Sequence, residues 1–274
     1  MDSNAKDLQP IAPIRYVVGV AAGKGGVGKS TLALQLAHCL KSRKWKVGLL
    51  DADLYGPSLR MMLPEDELPR QHPHIPDRII PAVGQGIQFI SMAHFLKEGD
   101  CASVRAPIAN GIIKQFIHNV EWGDLDCLLI DFPPGTGDIQ LTLMQEARLS
   151  GGVVITTPQE IALLDVAKAV LMTQQMQVPI LGVVENMSYF TDPTSGQHSF
   201  PFGRGGGEKF ALENDLFFLG RIPLDPLISQ CCDRGISLLE HKPPAQVVEH
   251  FNSICTALME QLESFARLER IPHS

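Results

Sequence analysis

Long uncharged runs are missing from this chain of 274 residues, so it offers no stretch of the length that a membrane-spanning helix needs. Basic charge is scarce as well. The 23 Lys and Arg against 30 Asp and Glu leave a net charge of −7, without the positive field that drives binding to nucleic acid or acidic membranes. The expectation is no nucleic-acid partner and no membrane partner. Six cysteines, Cys39, Cys101, Cys127, Cys231, Cys232 and Cys255, have neither C-x-x-C nor disulfide-framework spacing, and most read as small buried hydrophobes. Internal repeats and low-complexity segments are absent too. The first fifteen residues hold Pro10 and Pro13 and no apolar run, so no secretory signal is expected and the location read from the sequence is cytoplasmic. What is present, 45% hydrophobic and 19% charged residues, suffices for a sizeable core in one α/β unit. Residues 1–14 are expected to form a flexible N-terminal segment and residues 15–270 a single domain.

The most informative string is Gly23-Lys24-Gly25-Gly26-Val27-Gly28-Lys29-Ser30, a complete G-x-x-x-x-G-K-[S/T] loop with a second lysine after its first glycine. By chance such a match arises in on the order of 1% of chains this long. Its context is right. The apolar, β-branched run Tyr16 to Ala22 suits a buried parallel strand, and the segment from Thr31 to Ala37 has helical spacing. Strand, glycine loop and helix start together aim backbone N–H groups and the positive end of a helix dipole at a polyphosphate. The predicted ligand is a nucleotide.

Further strands are predicted at Lys46 to Asp51, Ile87 to Ser91, Asp126 to Asp131, Gly152 to Thr157, Ile180 to Glu185 and Phe217 to Arg221. Helices are predicted at Lys29 to Ser42, Pro107 to Val120, Ile139 to Leu149, Ile161 to Gln175, Glu208 to Asn214, Pro226 to Arg234 and Ala245 to Arg270. This alternation predicts a single-domain α/β fold with a mostly parallel sheet covered by helices on both faces, and the glycine loop makes the expected fold a P-loop NTPase. Pro64 to Pro81 reads as a surface excursion and Thr191 to Gly207 as a second loop. Ligands of such sheets collect at the carboxyl ends of strands, so Asp51, Asp53, Asp131 and Asn186 should gather around the glycine loop.

Charge alone assigns several roles. Gly23, Gly25, Gly26, Val27 and Gly28 supply the backbone cradle, Lys29 reaches the outer phosphates, and Ser30 places its hydroxyl on Mg2+, with Thr31 alongside in the first helical turn. Asp131 ends the apolar strand Cys127-Leu128-Leu129-Ile130 and is expected to hold magnesium through water. Pro133-Pro134-Gly135-Thr136-Gly137 after it reads as a loop sensing the terminal phosphate. Asp51 and Asp53, two apart on extended chain, point the same way: Asp53 is assigned to the attacking water and Asp51 to the metal. For Asp51, capping of the chain after its strand is an equal reading. Lys24 either lies solvated or reaches across a dimer interface to the other subunit's phosphates.

Together with Asp51-Ala52-Asp53-Leu54-Tyr55-Gly56-Pro57-Ser58, Asp131-Phe132-Pro133-Pro134-Gly135-Thr136-Gly137-Asp138, Thr157-Pro158-Gln159-Glu160 and Glu185-Asn186-Met187-Ser188, the glycine loop resembles the Mrp/ApbC family. That family belongs to the deviant Walker A ATPases, with MinD and ParA as more distant relatives. The resemblance covers about Arg15 to Leu262. It implies an ATP-hydrolysing homodimer that carries or helps assemble iron–sulfur clusters, with client or assembly proteins as partners. By the same resemblance Lys24 acts in trans, Asp53 is the hydrolytic aspartate and Asn186 contacts adenine. Slow turnover is expected, since a switch must persist long enough to be read.

One departure bears directly on function. Members of the family that hold a cluster carry C-P-x-C after the E-N-M-S string, whereas this chain has Asp192-Pro193-Thr194-Ser195. A [4Fe–4S] cluster, implied by the resemblance, thus lacks its thiolate ligands, and Asp with Ser is a poor match for iron–sulfur chemistry. The alternative function is an ATP-dependent dimer switch or scaffold that has lost cluster binding. Cys231 and Cys232 are adjacent on a predicted helix and diverge by roughly 100°, so both cannot easily face one metal. One from each subunit, joined by Cys255 or His198, is the remaining route to a cluster. The apolar stripe Val247, Val248, Phe251, Ile254, Leu258, Leu262 and Phe265 lies opposite an acidic side and is expected to pack on the sheet or a partner subunit.

Overall fold

A computed structural model describes residues 14–54, 56–95, 106–239 and 245–268. The expectations placed on residues 1–13, Cys101 and residues 269–270 lie outside the described residues. In chain order the elements are β1 (Tyr16–Ala22), α1 (Lys29–Ser42), β2 (Val47–Asp51), α2 (Leu59–Met62), β3 (Arg70–Gln71), β4 (Ile79–Ile80), β5 (Ala82–Gly84) and β6 (Ile87–Ser91). A 3-10 turn, Met92–His94, leads on to α3 (Ala106–Asn119), β7 (Cys127–Asp131), α4 (Asp138–Glu146), β8 (Gly151–Thr156), α5 (Glu160–Gln175) and β9 (Ile180–Glu185). The remainder comprises β10 (Phe190–Thr191), β11 (His198–Ser199), α6 (Gly206–Glu213), β12 (Phe218–Arg221), α7 (Pro226–Asp233) and α8 (Ala245–Leu268).

Eight strands form the central sheet in the order β12-β9-β8-β1-β7-β2-β6-β5, all parallel except the last, which pairs antiparallel with β6. The long strands are apolar throughout because both faces are covered. Side chains alternate between two cores. Val18, Val20, Leu49 and Ile155 meet Leu32, Leu36 and Leu40 of α1 and Phe251, Ile254 and Leu258 of α8 on one face. Leu50 and Ile130 meet Ile113 and Phe116 of α3 and Leu143 of α4 on the other, where Val154 and Val183 pack against Val166 and Val170 of α5 and Phe210 of α6. The apolar stripe of α8 is thus spent inside the chain: Val247, Phe251, Ile254, Leu258 and Leu262 are all buried.

Insertion of β7 between β1 and β2 sets the site. Register pairs Val20 with Asp131, Asp131 with Asp51, and Asp51 with Ser91, so one row across the sheet ends in two carboxylates and a hydroxyl. The predicted long elements are all present, with ends that coincide or shift by up to three residues. The shorter ones differ from expectation. The excursion from Pro64 to Pro81 carries the β3–β4 ladder and is bridged back to the body through Glu67 with Val83 and Ile79 with Val120. The loop from Thr191 to Gly207 contains the β10–β11 hairpin, and Gly206 and Gly207 already belong to α6. A carboxylate oxygen of Glu185, at the end of β9, accepts the Gly207 N–H at 2.6 Å and so starts that helix from the sheet.

Candidate functional site

The glycine loop of residues 23–28 runs from β1 into α1 with its backbone turned outward. Gly26 and Gly28 have φ of +79° and +90°, conformations that cost an L side chain steric strain. A Cβ on Gly28 would also collide with the Asn186 side-chain amide, and one on Gly23 with the backbone of Asp165 and Val166 in α5. Asn186 explains the fit: its Nδ2 donates to the Val27 carbonyl at 2.8 Å, and its own N–H donates to Thr156. Asn186, expected at the adenine base, stands here as a strut beneath the loop. Helix α1 begins without a side-chain cap and without an acidic residue in its first turn, which leaves its N-terminal amide donors for an anion.

Behind the loop lie the charges. Lys29, only 7% exposed, places Nζ 2.7 Å from Asp131 Oδ1, 3.4 Å from the Ser30 hydroxyl and 4.0 Å from Asp53 Oδ2. Burial pushes the Asp131 carboxyl above its ordinary range, while Lys29 and Ser30 work against the shift. The second oxygen, Asp131 Oδ2, is buried and has no hydrogen-bond partner. Phe132 and Gly135 donate their N–H groups to Val20 and Ala22, which folds the Pro133 to Gly137 segment over the end of β1.

Asp51 differs from its neighbour. Fully buried, it accepts hydrogen bonds from Ser91 Oγ at 2.9 Å, from the Asp53 N–H at 3.2 Å and from the Leu59 N–H at 3.3 Å. Of its two readings, this geometry is that of the cap: its oxygens are held by donors of the chain itself. Burial, reinforced by the charge of Asp131, pushes its carboxyl up to about 7. Asp53 stands at the edge of the cluster, its Oδ1 accepting the Gly56 N–H at 3.2 Å. Lys24 is half-buried, and its Nζ donates to Gln159 Oε1 at 3.3 Å, just before α5.

The predicted residues of the glycine loop, Asp51, Asp53, Asp131 and Asn186 therefore converge on one end of the sheet. Sequence reasoning missed three that the structure adds: Ser91 beside Asp51, Gln159 beside Lys24, and Glu185 under the Gly203 to Gly207 segment. Glu185 carried a usable signal, since like Asp131 it is an acid that ends an apolar strand.

Comparison with known proteins agrees with this architecture. A family model described as "ParA: NUBPL iron-transfer P-loop NTPase" matches residues 13–259. The chain belongs to this family. It is 41% identical over 254 residues to an iron-sulfur cluster carrier protein of Aquifex aeolicus, covering 92% of this chain and 69% of that protein. A carrier of the same description from Methanococcus maripaludis is 40% identical over 264 residues, with 95% and 90% covered. Among solved structures, a nucleotide-binding protein from Archaeoglobus fulgidus in complex with ADP superposes with a TM-score of 0.72 at 36% identity, covering 84% of this chain and 90% of that one. The cell division ATPase MinD of Pyrococcus furiosus shares the fold, with a TM-score of 0.63 at 20% identity over 90% of this chain and 99% of that one.

The segment at residues 192–195, where the resemblance implies a thiol pair, presents oxygen atoms instead. Asp192 Oδ1 accepts hydrogen bonds from the Ser195 N–H, the Ser195 hydroxyl and the Thr194 N–H, which closes the hairpin turn and holds the carboxyl below its ordinary range. These oxygens do not match an iron–sulfur cluster. Among the described residues of one chain, the thiols are not placed to supply a ligand set in their stead. Cys231 and Cys232 are buried in α7, and Cys255 is buried against Cys39 with its thiol pushed up by that contact and by burial. Among the described residues no group of three His, Cys, Asp or Glu is arranged to hold a metal ion. No helix among them is long and apolar enough to cross a membrane.

Proposed function

We propose that this iron-transfer family member binds and slowly hydrolyses ATP as a nucleotide-dependent homodimer, and that it serves iron–sulfur cluster carriage or assembly in the cytoplasm. The observation that carries the nucleotide half is the open α1 N-terminus behind a glycine loop, with Lys29 buried among Asp53 and Asp131. The ADP complex of the Archaeoglobus fulgidus relative supports it. Lys29 exchanges its contact with Asp131 for the outer phosphates as nucleotide enters, and the loop amides take the remaining phosphate oxygens. Ser30 and the unpartnered Asp131 Oδ2 fit a magnesium ion, which needs few protein ligands and keeps several waters. Bound there, the ion neutralises phosphate charge. Asp53, at the rim and outside the Asp131 contact, orients the attacking water. Lys24 leaves Gln159 to meet the phosphates held by the partner subunit, supplying positive charge where it develops. Asn186, with its Nδ2 committed to Val27, positions the loop and presents its remaining amide oxygen to the base.

A second reading, an ATP-driven dimer switch or scaffold that carries no cluster, is favoured by the closed Asp192 turn. One set of measurements separates the readings. Titration with Mg-ATP is expected to show saturable binding and slow phosphate release, and Asp53→Ala to retain binding and lose release. Anaerobic reconstitution with iron and sulfide, followed by absorbance and metal analysis, then decides the cargo. A coloured, iron-containing dimer supports carriage, a colourless iron-free one the switch. Absence of any Mg-ATP binding by folded protein defeats both.

A further inference from the structure

Asp53 has no rigid element of its own. It lies between the end of β2 and the short helix α2, in a segment anchored by the buried Ala52 and Leu54 side chains and by the Ala52 N–H on the Asp131 carbonyl. A further set of ties runs through Asp51 to β6 and the turn after it. Ser91, fully buried at the end of β6, donates its hydroxyl to Asp51 Oδ2 at 2.9 Å and accepts the Ala93 N–H at 3.2 Å. The same Asp51 carboxylate accepts the N–H of Asp53 and the N–H of Leu59, the two ends of the segment. Register places Ser91 directly beside Asp51, so the hydroxyl comes from the adjoining rung. An outer tie repeats the pattern. Arg60 donates to the Ala93 carbonyl at 3.1 Å and pairs with Glu65, and the buried ring of His94 accepts the Ser91 N–H at 3.1 Å while standing 3.2 Å from Glu65.

We infer that Ser91 is a positioning residue for ATP hydrolysis, acting through Asp51 to hold the Asp53 segment in register with the glycine loop. Among the described residues Ser91 hydrogen-bonds to neither Lys29 nor the loop, and its tie to the site is that carboxyl group. Removing the hydroxyl takes away one of three donors to a buried carboxyl group and frees Asp51 to turn from the Asp53 and Leu59 amides. A water-orienting carboxylate displaced by a fraction of an ångström loses rate without loss of phosphate affinity, since the cradle and Lys29 are untouched. Nothing about Ser91 in the sequence marks it for this role; the strand order does.

The inference rests on the ATPase reading, and the experiment keeps the two apart. Parent, Asp53→Ala, Ser91→Ala, Ser91→Cys and Ser91→Thr are compared by Mg-ATP titration, steady-state hydrolysis and amide hydrogen exchange. Ser91→Ala is expected to keep nucleotide affinity within about twofold and to lose about tenfold in kcat, with faster exchange at the Asp53 and Leu59 amides. Ser91→Thr, which restores the hydroxyl, recovers rate, and Ser91→Cys, a weaker donor in the same space, falls between. If Ser91→Ala does not fold, Ser91→Cys carries the same comparison against the parent. A parent that hydrolyses ATP, an inactive Asp53→Ala and a Ser91 variant at the parent kcat overturn the inference alone. A parent that binds ATP and never hydrolyses it overturns the ATPase reading along with it.

Discussion

Two buried residues with opposite demands make the pH dependence of stability a test of the site. Asp51, pushed up to about 7 by burial and by Asp131, keeps its proton when folded at pH values where the unfolded chain has released it. Its contribution is therefore full below about pH 4 and is lost as pH rises through about 7. His38 on α1, pushed down to about 4 by burial and by Lys41, acts in the other direction: its contribution is full above about 6.5 and is lost as pH falls through about 4. The two slopes oppose each other between about pH 4 and 7. Asp51→Asn removes one of them. Urea unfolding of that variant across this range is expected to show stability rising with pH more steeply than in the parent; parallel curves would place the Asp51 carboxyl near its ordinary value. Lys29 completes the residue scale, because a cation buried against Asp131 has to be replaced, not merely removed, when phosphate arrives.

At the scale of elements, the glycine loop is shaped from below as much as by its own composition. Gly28 combines a positive φ with the Asn186 amide in the space where a Cβ would sit, so strand β9 reaches the loop through its next residue. Gly28→Ala is expected to cost about 1–3 kcal/mol in chemical denaturation and to abolish Mg-ATP binding in the same titration. Retained affinity would show that the loop tolerates rearrangement. This string was legible in the sequence because its chemistry is local: strand, turn and helix start follow one another without a break. The elements that escaped were those whose evidence is not local. β5 and the β3–β4 and β10–β11 ladders span two or three residues each, too few for a hydrophobic period, and exist because a neighbouring strand offers its edge. α6 starts two residues earlier than its pattern because Glu185 reaches over from β9 to hold the Gly207 N–H.

For the whole molecule the open question is the second subunit, and Lys24 answers it in a mixing experiment. Lys24 bonds to Gln159 within its own chain, on the outward rim of the site beside the unobstructed Gly25 and Gly26. If it acts across a dimer, Lys24→Ala and Asp53→Ala are each inactive alone but complement when mixed, because a mixed dimer holds one site with both groups intact. Random pairing is expected to restore about a quarter of the parent ATPase rate. No recovery, despite mixed dimers seen by light scattering, would place the lysine's action within its own chain.

The chain's order of residues sufficed for the parallel α/β sheet, the phosphate loop, the acid at the end of β7 and the absence of a thiol pair at residues 192–195, since each is a pattern written along a short stretch. Only the folded molecule decided what those residues face. Asp131, Asp51 and Ser91 are separated by tens of residues and stand abreast because β7 enters the sheet between β1 and β2 with β6 beyond. Strand order depends on the packing of distant helices on both faces. Hence the sequence named the charged groups, while the sheet turned Asp51 toward the backbone, left an oxygen of Asp131 without a partner and set a serine among them.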